Sequence, residues 1–80
     1  MTALNPTGPR LDLMRAIAAG DVHYDQIDHV WYIERTRSTV TAKFNDLCRA
    51  GLARQVRFTD SELTDAGRAW LATHDKEDAR

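Results

Sequence analysis

Eighty residues and 9.1 kDa hold one small domain with a thin core, which excludes a two-lobed enzyme built around a cleft. Hydrophobic residues at 42% and charged residues at 29% are ordinary globular values, excluding a wholly disordered tail or a fibrous repeat. The formal charge of −1 gives no global pull toward nucleic acid or anionic lipid. No unbroken apolar run exceeds four residues, so no transmembrane segment and no membrane partner are expected. Residues 1–10 lack the apolar centre of a signal peptide, which points to a cytoplasmic location. Cys48 is the only cysteine and is read as core, with neither a disulfide nor a zinc site in view.

In chain order, residues 1–8 read as a flexible lead, residues 9–74 as the domain and residues 75–80 as a solvated tail. A first helix is expected from about Pro9, a residue suited to the first helical position, to Ala19. Leu11, Met14, Ile17 and Ala18 share its inner face, and Gly20 terminates it. Asp21 to Glu34 admits two readings. Val30-Trp31-Tyr32-Ile33 is β-branched and aromatic, which favours a hairpin pairing it with Val22 to Tyr24. Ile27, Val30, Trp31 and Glu34 also fit helical spacing, with Asp25 as a cap and Asp28 three residues on.

From Arg37 to Ala50, the spacing of Val40, Phe44, Leu47, Cys48 and Leu52 predicts an amphipathic helix capped by Ser38 or Thr36 and ended by Gly51. Its outward side carries Arg35, Ser38, Thr39, Ala42, Asp46 and Arg49, flanked by Lys43 and Asn45. Alternation of Leu52, Arg54, Val56 and Phe58 predicts a strand, with a turn near Thr59 and Asp60. A short return strand over Ser61 to Leu63 follows. Thr64 then caps a last helix running from Asp65 to about His74, with Leu63, Trp70 and Leu71 pointing inward.

Two segments, Ser38-Thr-Val-Thr-Ala-Lys-Phe-Asn-Asp-Leu-Cys-Arg-Ala-Gly-Leu52 and Glu62-Leu-Thr-Asp-Ala-Gly-Arg-Ala-Trp-Leu71, resemble the recognition-helix and post-wing segments of MarR-type winged helix-turn-helix regulators. The resemblance spans about residues 35 to 72. It implies a small winged-helix-like α+β domain of three helices with one or two short hairpins. It also implies that the helix over 37–50 enters the DNA major groove. Carried over residue by residue, Thr39, Lys43 and Asn45 would meet bases, and Arg35, Arg37 and Ser38 phosphates. A turn over Thr59-Asp60-Ser61-Glu62 would be shorter and more acidic than the wings of that family.

Charge by segment agrees with this placement. Residues 1–34 carry two basic and five acidic groups, net −3. Residues 35–58 carry six basic and one acidic, net +5, and residues 59–80 carry three and six, net −3. Arg35, Arg37, Lys43, Arg49, Arg54 and Arg57 thus concentrate on the helix and strand that would face DNA.

Catalysis is not expected: there is no phosphate loop, nucleophile motif or His-x-x-x-His pair, and no cofactor or small-molecule substrate is implied. His23 and His29, with Asp25 or Asp28, are the only metal candidates, and scattered histidines of this kind are ordinarily surface or core residues. The reading is therefore a small, phage-like regulator that binds double-stranded DNA, with excisionase-type bending factors as a looser analogy. The competing reading is a winged-helix adaptor for a protein partner. Trp31, Tyr32 and Trp70 could serve a homodimer or host-protein contact in either case.

Overall fold

Leu11, Leu13, Met14 and Ile17 are all buried, and together they define the inner side of α1, Gly8–Ala18. The computed structural model describes residues 8–78, with side chains through residue 74. The predicted lead, apart from Gly8, and residues 79–80 of the predicted tail lie outside the described residues. Ala18, expected on the inner face, is exposed, and Leu13 takes that role.

The hairpin reading of Asp21 to Glu34 is the one the structure adopts. β1, Val22–Asp25, pairs antiparallel with β2, Val30–Ile33, in the register Val22↔Ile33 through Asp25↔Val30. Asp25 explains why a helical reading also fitted. Its carboxylate accepts the Ile27 and Asp28 N–H groups at 2.8 and 3.1 Å, as a helix cap would, but it closes a turn. The His29 N–H then donates to the Asp25 carbonyl at 2.8 Å, with His29 at a φ of 59°.

The next helix begins later than its periodicity predicts. Arg37 sits at a φ of 60°, and Ser38–Thr39 form β3, paired with β2 through Tyr32↔Thr39 and Ile33↔Ser38. Thr39, Val40 and Thr41 are β-branched and prolong this ladder: the Val40 N–H donates to the Trp31 carbonyl and the Trp31 N–H to Thr41 Oγ1. α2 therefore spans Thr41–Arg49, with Val40 at its N-cap and no side-chain cap. Ser38 and Thr36, expected as caps, hydrogen-bond to each other in the preceding turn. Arg35, Arg37, Ser38 and Thr39 accordingly precede the helix.

At its other end α2 stops as predicted. Gly51 adopts a φ of 78°; its N–H donates to Cys48, and the Leu52 N–H reaches back to the Leu47 carbonyl at 2.9 Å. This is the left-handed termination that a residue with no Cβ adopts without steric cost. β4, Ala53–Val56, then pairs with β5, Asp60–Leu63, from Ala53↔Leu63 to Val56↔Asp60. The strand is shorter than predicted and its turn earlier, because Arg57 takes a φ of 58° and starts a turn over residues 57–59. Phe58 is thereby lifted out of the strand into solvent.

Thr64 caps α3, Asp65–Asp78, by accepting the Gly67 N–H at 3.0 Å. Helix thus occupies residues 75–78, which the sequence reading placed in the tail. Gly67 is buried against the end of α2's exit loop: a Cβ there would lie 1.9 Å from the Leu52 carbonyl oxygen.

β1 and β5 join through His23↔Asp60, the Tyr24 N–H donating to Thr59 and Ser61 Oγ donating to Val22. The result is one antiparallel five-stranded sheet in the order β3-β2-β1-β5-β4. Val22, Trp31, Ala53 and Leu63 face the helices, where Leu13, Met14, Ile17, Phe44 and Leu47 complete the core. Trp31 and Phe44 stack with ring centres 4.1 Å apart. Alternate strand residues, including His23, Tyr32, Arg54 and Glu62, take the other face, and none of them is buried. The domain is a small winged-helix-like α+β unit. Between α1 and α2 the described residues hold a three-stranded meander.

Candidate nucleic-acid interface

α2 crosses the helix-bearing side of the sheet from β3 toward β4, burying Phe44 and Leu47. Its opposite side exposes Ala42, Lys43, Asn45 and Arg49, as the 100° turn per residue predicts. Lys43 borders an open depression of about 270 Å³ that Val30, Thr39, Val40, Thr41 and Ala42 also line. The N–H groups of the first α2 turn have no side-chain cap, so the positive end of the helix faces this region.

The nine candidate residues do not form one surface. Arg35 and Arg37 occupy the turn between β2 and β3, and Ser38 and Thr39 the edge strand. Lys43, Asn45 and Arg49 lie on α2. Arg54 points from β4 to the sheet face away from the helices, and Arg57 sits in the β4–β5 turn. Since β3 and β4 are the opposite edges of a five-stranded sheet, Thr39 and Arg54 are separated by four strand spacings, roughly 19 Å.

Most of the basic charge is answered locally. Arg49 pairs with Asp46 at 2.5 Å, one helical turn away, and Arg54 with Glu62 directly across the hairpin. Arg57 lies 3.8 Å from Asp60 and Arg35 3.9 Å from Asp21, long and exposed pairs that add little stability. Arg37 and Lys43 have no carboxylate partner among the described residues; Arg37 instead stands 5.9 Å above the Tyr32 ring. That ring is the one contributor the sequence reading overlooked, since only the β2–β3 register brings Tyr32 beneath the turn. The Arg54–Glu62 pairing was accessible in principle, because closing the hairpin over residues 57–59 opposes the two.

The histidines do not converge. His23 Nδ1 lies 3.2 Å from Asp60 Oδ1, whereas His29 meets the Tyr24 hydroxyl at 3.1 Å in the turn. No cluster of three or more metal-ligating side chains occurs among the described residues. Cys48 is half-buried, and burial pushes its thiol above the ordinary value of 9.0. No helix among the described residues is long and apolar enough to cross a membrane. No protein-family model, curated protein or solved structure matches this chain.

Proposed function

We propose that this protein binds double-stranded DNA as a small cytoplasmic regulator that performs no chemistry, with α2 directed toward the major groove. The observation that carries the reading is the charge left over after local pairing. Lys43, on the exposed side of α2, and Arg37, in the turn before it, are the cations without a carboxylate partner among residues 35–58. Free cations exchange condensed counterions for phosphate contacts, while paired ones must first give up a partner. Asn45 and Lys43 supply the groups able to read base edges, and Ser38 and Thr39 add hydroxyls for phosphate oxygens.

Fluorescence anisotropy with a mixed-sequence duplex at low salt tests this. The expected result is binding in the micromolar range, lost by at least tenfold in Arg37→Glu with Lys43→Glu and kept in Arg54→Glu, whose native side chain is already paired with Glu62. An absence of binding at tens of micromolar would sink the proposal. The pairing of Arg35, Arg49, Arg54 and Arg57 favours a second reading, an adaptor for a protein partner, because it lowers the field available to a polyanion. That reading predicts a protein complex indifferent to the Arg37 and Lys43 substitutions.

A further inference from the structure

Two large hydrophobic side chains stand in solvent among the described residues: Ile27, 89% exposed, and Phe58, 78% exposed. Each sits at a hairpin tip, a place where polar residues and glycine are usual. Each tip is also fixed. The Asp25 carboxylate holds the Ile27 and Asp28 N–H groups, and Gln55 Nε2 donates to the Phe58 carbonyl at 2.8 Å. The apolar side chains are therefore presented by ordered turns.

The register places the two tips side by side. β1 and β5 are antiparallel neighbours with His23 opposite Asp60 and the Tyr24 N–H bonded to Thr59, so residues 26–29 and 57–59 share one end of the sheet. Their centres are about two strand spacings apart, roughly 10 Å. They differ in charge. The first tip carries exposed Asp28, which has no ion pair among the described residues. The second carries exposed Arg57, whose carboxylate neighbour is 3.8 Å away.

We propose that this end of the sheet is a self-association surface whose occupant is a second copy of this chain. A two-fold axis normal to the sheet superposes the first tip of one copy on the second tip of the other, twice over. Ile27 then packs on Phe58 of the second copy, and Asp28 faces Arg57 of the second copy, which is the isologous complementarity a closed dimer requires. Charge selects this occupant. The Asp25 carboxylate is occupied by its own turn, and a polyphosphate or an anionic lipid surface would meet the unpaired Asp28, whereas a second copy sets Arg57 against it. The contact is much smaller than a standard interface of about 1,600 Å², so the dimer is weak and concentration-dependent.

Sedimentation equilibrium of the intact chain from about 10 μM to about 1 mM reads the association directly, across the range that separates a weak from a moderate dissociation constant. The mass is expected to rise from 9.1 kDa toward twice that value. Asp28→Arg alone and Arg57→Asp alone should each weaken dimerisation at least tenfold, Phe58→Ser should abolish it, and combining the two charge reversals should restore it to within about threefold. All four variants alter exposed side chains, and an unchanged thermal melt confirms the fold. A wild-type chain still monomeric at about 1 mM, or a double reversal that remains as weak as the singles, would overturn the proposal.

Discussion

At Gly67 a single hydrogen atom decides whether α3 can dock. The 1.9 Å separation between a Cβ at that position and the Leu52 carbonyl oxygen leaves backbone as the only part that can give way. Gly67→Ala is expected to destabilise the domain by about 3 kcal/mol or more, at the upper end of overpacking costs, measured as a lowered urea midpoint. Cys48 makes a second residue-scale prediction. Its thiol is raised by desolvation, so the folded chain holds that proton more tightly than the unfolded one. Stability from this group is present below pH 9 and falls as pH rises through the unfolded and then the folded value. Thiol reagents at neutral pH should accordingly modify Cys48 more slowly than they do the urea-unfolded chain; equal rates would show that burial does not protect it. Gly51 was legible in the sequence as a position where glycine meets a geometric demand. The left-handed Arg37 and Arg57 were not, since arginine gives no local signal of positive φ.

Among the elements, the α2 boundaries show what pattern can and cannot tell. The Phe44, Leu47 and Leu52 spacing located the helix, and Gly51 marked its end. Ser38-Thr39-Val40 matched the same helical period, yet β2 offered those residues a ladder, and β-branched Thr39 and Val40 fit a strand edge at least as well. Tertiary pairing thus shortened the helix and moved three candidate DNA contacts, Arg37, Ser38 and Thr39, off it. The hairpin over residues 22–33 was readable because aromatic and β-branched residues dominate β2. Its union with β4 and β5 was not, since one register pair between distant strands leaves no trace in local sequence. Thr64 is the element-scale test. Its hydroxyl accepts the Gly67 N–H and donates to the Gly51 carbonyl at 2.6 Å, joining the start of α3 to the end of α2. Thr64→Ala should cost about 1 to 2 kcal/mol by thermal denaturation, whereas Thr64→Ser, which keeps both bonds, should recover most of it.

For the molecule as a whole, the segment charges of −3, +5 and −3 overstate the field that a duplex would meet. The +5 segment faces its own carboxylates: Asp46 lies within it, and Asp21, Asp60 and Glu62 come from the acidic segments on either side. Counting only Arg37 and Lys43 as free to neutralise phosphate, log K against log salt should have a slope of about −1.8, from two contacts at about −0.9 each. A slope near −3.6 would mean that two of the local ion pairs open on DNA. The distinction can be read from an anisotropy series between 50 and 200 mM salt, the range over which such slopes are resolved.

The Thr64 joint also has a mechanical meaning. One hydroxyl bonds both Gly51, where α2 ends, and the first turn of α3, while Thr64 follows directly on the last residue of β5, so the joint ties both helices to the base of the β4–β5 hairpin. α3 is in that sense a lever on two elements at once: a load along its length is shared between the helix proposed to meet DNA and the hairpin beside it.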